Sequence, residues 1–100
     1  MRDQAGQSIA PGDFVVYGAR WGNSGHIKLG IVTDTDRGSI ITGDFNRVYD
    51  PEKKEYTDKS EFQCSGVPGH GVYGFKLLKL PSYVYQNAYN ILYEKAKKYL

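Results

Sequence analysis

One hundred residues, of which 40% are hydrophobic and 14% aromatic, are too apolar for a disordered chain and long enough for a single core that buries roughly 60 to 70% of the unfolded surface. A net charge of +2 falls well short of the basic bias that makes nucleic-acid binding the default. The leading stretch MRDQAGQSIAPGD has no apolar signal-like region, no run approaches the roughly 18 apolar residues of a membrane span, and the lone cysteine, Cys64, forms no internal disulfide. A soluble, cytoplasmic protein with one domain over residues 1–100 is expected, reducing compartment included.

Charge is uneven along the chain. Residues 1–50 hold five cations and six anions, residues 51–100 eight cations and five anions. From Phe62 onward there are five lysines and one glutamate, which gives the carboxy-terminal third a modest positive face.

Pro11-Gly12-Asp13 punctuates the start of a first strand, Phe14 to Tyr17, rich in β-forming residues. Residues 18–26 hold three glycines with Asn23 and Ser24 and read as a loop. A second strand is predicted over Lys28 to Asp34, then a tight turn at Thr35-Asp36-Arg37-Gly38. The third strand starts at Ser39; Ile41, Phe45 and Tyr49 share one parity and Thr42, Asp44 and Asn46 the other, with Gly43 predicted to mark a bulge. After a turn at residues 50–54, Glu55 to Cys64 returns as a polar strand, making residues 49–62 an exposed hairpin arm. Residues 65–74 read as loop and Val72 to Leu80 as a last strand.

Beyond Pro81 the period changes. Ser82 is the expected N-cap of one helix over residues 82–99, about 25 Å long, with Lys95, Lys97 and Lys98 complementing the dipole at its carboxyl end. Positions 84, 85, 88, 89, 91, 92, 93, 96, 99 and 100 span an apolar or tyrosine arc of about 200°, wider than the stripe of just over 100° that a surface helix needs. Tyr85, Tyr89 and Tyr93 are therefore candidates for a homodimer or partner interface, tempered by the ease with which tyrosine stays half exposed.

Four or five short strands and a terminal helix describe a small bent barrel, mainly β, occupying residues 10–80. Gly12-Asp13-Phe14-Val15-Val16-Tyr17, followed by Gly30-Ile31-Val32, resembles the KOW motif region of SH3-like barrels over residues 10–42. The resemblance implies an SH3-like fold of five or so antiparallel strands and a binding role toward RNA, DNA or protein. In size and style the chain also resembles small phage-encoded or mobile-element proteins.

Enzyme chemistry has little to build on. Cys64 with His70, and His26 or an aspartate as orienter, has the residue types of a thiol site but nothing that fixes geometry. The same Cys64, His70 and His26 lack the paired short spacings of a zinc site, and Asp34 with Asp36 sits where solvated turn carboxylates are common. Gly66 to Gly71 lacks the Lys-Ser/Thr of a phosphate loop. No catalytic residue, cofactor or metal is predicted.

Binding surfaces fare better. Arg20, Trp21, His26 and Lys28 fall together with Tyr17 at the rim of a barrel, combining stacking area with positive charge. Trp21 is either a plug over the barrel end or a partner contact, and the sequence leaves both open. Arg47 and Tyr49 at the root of the arm form a second candidate, with ordinary cross-strand pairing as the alternative. The reading reached is a non-enzymatic module acting through protein–protein interaction, a regulator or inhibitor of another macromolecule, with no membrane role. The rival is a KOW-like nucleic-acid binder using Arg20, Lys28, Arg47 and Lys76 on phosphates and Trp21 or Tyr49 on bases.

Overall fold

The computed structural model describes residues 1–21, 24–72 and 74–100, with the side chains of residues 19–21, 24–26 and 75 outside the description. It contains strands β1 (Phe14–Trp21), β2 (Ser24–Asp34), β3 (Ser39–Asp50), β4 (Glu55–Cys64) and β5 (Leu78–Lys79), followed by helix α1 (Gln86–Ala96). All pairings are antiparallel, in the order β4-β3-β2-β1-β5. The protein is mainly β, as the sequence predicts, but its sheet is open: β4 and β5 are its two edges, so the closed cylinder is not formed.

Alternation along the strands sends the apolar residues to two sides. Phe14, Leu29, Ile31 and Ile41 meet Ala88, Leu92 and Ala96 of α1 on one face. Val15, Val32 and Ile40 meet Ile9 and Leu77 on the other. Short continuous runs such as Phe-Val-Val and Ile-Val are therefore buried on both faces, which a strict alternation would not allow.

The second face is covered by the amino-terminal segment. Its anchor is Asp3, whose carboxylate accepts the backbone N–H of Ala5 (3.0 Å), Gln7 (2.8 Å) and Lys79 (2.8 Å) and the Gln7 amide (3.0 Å). Burial raises the Asp3 pKa, but these bonds to the charged form outweigh it and hold the carboxyl below its ordinary value. Lys79 also pairs with Asp13 at 3.4 Å, tying β5 to the start of β1.

Several boundaries differ from those expected. The loop assigned to residues 18–26 is largely strand: β1 and β2 stay paired from Phe14↔Ile31 out to Trp21↔Ser24. Tertiary pairing overrides the turn-forming preference of Gly18, Ser24 and Gly25. The strand expected over residues 72–80 shrinks to Leu78–Lys79, preceded by a 3-10 turn at Gly74–Lys76. The single helix becomes three pieces, a 3-10 turn (Ser82–Tyr85), α1, and a 3-10 turn (Lys97–Tyr99). Ser82 does not cap it; Pro81 and Tyr85 precede the first two pieces without a side-chain cap bond.

Gly43 carries no bulge. It pairs in register with Cys64, and the irregularities fall between Val32 and Asp34 and between Arg47 and Tyr49. Its lack of a side chain serves close packing: a Cβ there would meet Phe62 Cζ at 2.5 Å and the Gln63 carbonyl at 2.7 Å. Gly38, by contrast, is the turn glycine the sequence suggests, with φ +61°.

Candidate functional site

β3 and β4 continue past the end of the β2–β3 ladder at Leu29↔Gly43 and form a two-stranded arm that ends in the turn at residues 51–54. On this arm Phe45 lies opposite Phe62 with ring centroids 5.1 Å apart, and Tyr49 lies opposite Tyr56 at 5.3 Å. Both pairs are edge-on, the geometry that the ring quadrupole favours. Arg47 sits between them opposite Ser60. Alternation along β3 carries Phe45 and Arg47 to the side of Ile41, which packs beneath α1, and the ladder shifts register between Arg47 and Tyr49.

The 3-10 turn before α1 adds Tyr85, its ring 6.2 Å from that of Phe45. Phe45, Phe62 and Tyr85 line a recess of about 220 Å³ with Gln86, Asn87 and Ala88. Phe45 is 51% exposed, Tyr49 50%, Tyr56 64% and Tyr85 47%. At about 3.3 Å per residue the two aromatic pairs are spaced roughly 13 Å along the arm. Four exposed rings and one guanidinium thus lie on the arm and the turn beside it, outside the protein's own core.

Charge on the arm is acidic. Residues 44–62 carry four cations and six anions, a net of −2. The basic surplus of the chain lies elsewhere, notably in Lys95, Lys97 and Lys98, with Lys97 bonded to Glu94 at 2.8 Å.

The residues singled out in the sequence are divided by this geometry. Arg47 and Tyr49 lie on the aromatic surface. Lys28 is half buried and pairs with Tyr17, which packs with the cluster on the opposite face. Burial pushes the Tyr17 phenol above its usual pKa, a nearby Asp44 charge adds to this, and a hydrogen bond with Thr42 opposes it. Arg20, Trp21 and His26 have paired backbones near the tip of the β1–β2 hairpin, and their side chains lie outside those described. Lys76 is exposed in the 3-10 turn before β5.

Of the helix tyrosines, Tyr89 is half buried, edge-on to Phe14 at 5.5 Å and stacked on Tyr93 at 6.0 Å. It serves the protein's own core. Tyr93 is exposed beside it, and Tyr85 belongs to the aromatic surface.

Phe45, Phe62 and Tyr56 were not among the sequence candidates. A partial signal exists in the aromatics at positions 45 and 49 of one strand and 56 and 62 of the next, but a regular hairpin pairing 45 with 62 would set 58 opposite 49, and the shift between Arg47 and Tyr49 is what brings Tyr56 there.

Of the groups suggested for chemistry, His26 lies outside the described side chains, and the others do not assemble. His70 Nδ1 lies 2.6 Å from Ser39 Oγ rather than beside Cys64. The Cys64 thiol is pushed up in pKa by burial, which outweighs the opposing charge of Lys95. Asp34 accepts the Asp36 backbone N–H at 2.9 Å, an ordinary turn role. Among the described residues no three His, Cys, Asp or Glu side chains cluster as metal ligands, and no helix is long and apolar enough to cross a membrane.

Fold and surface together define an open five-stranded sheet, backed by one helix, with an aromatic arm. No family model matches the chain, and neither the curated proteins nor the solved structures contain a match to it.

Proposed function

We propose that the protein is a non-enzymatic binding module whose arm engages a protein partner, acting as a regulator or inhibitor of another macromolecule. The observation that carries this reading is the exposure of Phe45, Arg47, Tyr49 and Tyr56 on an arm with a net charge of −2, with Tyr85 beside Phe45. Large aromatics and arginine are the side chains that anchor protein interfaces, because they remove much area from water at little rotamer cost. Surplus carboxylates repel a polyanion while leaving apolar contact with a protein intact.

The rival reading, a KOW-like nucleic-acid binder, draws on one specific feature: Arg47 stands between two aromatic pairs, where a phosphate and flanking stacked bases would fit. The resemblance of residues 10–42 to the KOW region of SH3-like barrels supports it, together with a meander whose fifth strand returns beside the first.

Copurification with tagged protein, with and without nuclease, separates the two. The protein-binding reading expects a defined protein to persist after nuclease and to stay bound as salt rises. Recovery of nucleic acid alone, released steeply with salt as counterions compete for phosphates, would reverse it.

A further inference from the structure

The two edges of the sheet differ. At β5 the edge is two residues long and its surroundings are occupied: the Asp3 carboxylate accepts the Lys79 N–H at 2.8 Å, and the Leu77 carbonyl accepts the Gln4 N–H at 2.9 Å. At β4 the edge is ten residues long, without proline or glycine, and no described strand pairs with its outer side. A long exposed edge is a template for another strand.

The ladder shows which groups this edge offers. The Ser65 N–H donates to the Thr42 carbonyl at 2.8 Å, so bonded and non-bonded pairs alternate from there, and Gly43↔Cys64, Phe45↔Phe62 and Arg47↔Ser60 are the non-bonded ones. The N–H and C=O groups of Ser60 and Phe62 therefore point away from β3, and no other described residue bonds to them.

Charge selects what fits there. The strand reads Asp58-Lys59-Ser60-Glu61-Phe62, exposed except for the half-buried Phe62, and neither Lys59 nor Glu61 forms an ion pair among the described residues. A second copy that pairs antiparallel about a two-fold axis perpendicular to the sheet keeps both faces in place, so each register is centred on one residue opposite its own copy. Centres at Asp58, Lys59 or Glu61 put like charges directly opposite, which is destabilising. The centre at Ser60 sets Lys59 opposite Glu61 of the second copy, twice over by symmetry, and Ser60 meets its copy with outward N–H and C=O groups on both sides.

We propose that β4 pairs with β4 of a second copy in this register, joining two sheets into one of ten strands. The axis keeps both α1 helices on one side, together with Phe45, Arg47 and Phe62 of each copy, so the second copy doubles the aromatic face beside the seam. The pairing uses the strand edge and not that face, so it stands or falls separately from the arm's partner. The register shift between Arg47 and Tyr49 bounds the regular edge, and so short an interface lies at the weak end of the size range, with a dissociation constant on the order of 10–100 µM.

Sedimentation equilibrium of the intact chain, from about 5 to 500 µM to bracket that constant, is expected to show a reversible monomer–dimer association. Lys59→Glu and Glu61→Lys are each expected to weaken it by about tenfold or more, because each sets like charges opposite at two places. The double exchange, Lys59→Glu with Glu61→Lys, is expected to restore the association of the parent chain. In a Cys64→Ser background, Ser60→Cys places two thiols across the axis with Cα atoms about 5.5 Å apart, inside the disulfide range. Mild oxidation is expected to join two chains there and not at Lys53→Cys in the exposed turn. A monomer throughout that range, association unmoved by the single reversals or not restored by the double exchange, or crosslinking no faster at Ser60→Cys than at Lys53→Cys would overturn the proposal.

Discussion

Phe45 and Phe62 face each other across the β3–β4 ladder with ring centroids 5.1 Å apart and planes at 61°, and two residues before Phe45 the chain has Gly43, over which the Phe62 ring lies. The pair links the helix-covered part of the sheet to the exposed arm. Phe62 packs against the core with Phe14 and Leu92, whereas Phe45 leaves half of its surface to solvent.

Gly43→Ala tests that packing. The new methyl would meet Phe62 Cζ at 2.5 Å and the Gln63 carbonyl at 2.7 Å, so the ring must leave its place and the ladder must spread. Overpacking of this kind costs about 1–3 kcal/mol. Chemical denaturation of the variant is expected to show that loss, with the arm the first region to exchange its amide protons.

Tyr89 and Tyr93 separate in the same way. Tyr89 is half buried against Phe14, so Tyr89→Ala is expected to lower stability by about 2 kcal/mol through lost area and the ring contact. Tyr93→Ala is expected to cost under about 1 kcal/mol, as surface changes do. Thermal unfolding of the two variants checks the order. Light scattering on Tyr93→Ala beside the parent chain reports whether this face joins two copies.

Acid stability is expected to depend on Asp3. Its folded pKa is depressed because the carboxylate holds four hydrogen bonds, including one from Lys79 on β5. A depressed acid stabilises the fold above the unfolded pKa of about 3.9, and the contribution is lost as pH falls through the lower folded value. Melting temperature measured from pH 6 downward is expected to drop below about pH 4. Asp3→Asn is expected to flatten that drop while lowering stability at neutral pH.

The Cys64 thiol is raised in pKa by burial, so at pH 7 it is protonated and a poor nucleophile. Alkylation by iodoacetamide is expected to be slow in the folded protein and fast once it is unfolded. Rapid labelling of the native protein near neutral pH would revive a thiol reaction.

How far the sequence carries the structure can be followed residue by residue. Phe14 to Tyr17, the turn ending at Gly38 and the polar return from Glu55 to Cys64 are legible because local propensity and tertiary pairing agree there. The stretch from Gly18 to His26 is not, because glycine and asparagine suggest a loop while pairing with the opposite strand extends both. The open sheet was out of reach for a similar reason: closure depends on whether β4 and β5 meet, and no local pattern encodes that. In the candidate surface, Arg47 and Tyr49 stand out in the sequence, but Phe45 reads only as one parity of a half-buried strand and Phe62 only as the end of an exposed arm, because parity shows a shared side without showing where the helix stops covering it. The hydrogen bond between Ser39 and His70 joins residues 31 positions apart, a closeness that only the fold supplies.

The central claim is that the arm's aromatic surface binds a protein, and it is tested most directly by capture with the Phe45→Ser and Tyr49→Ser variants, each first shown to be folded. Beside the parent chain and Arg37→Gln as a remote control, both serine variants are predicted to lose the nuclease-resistant partner by about tenfold or more, the scale of a truncated interface anchor. Partner capture undiminished in both serine variants, with the fold intact, would contradict the account.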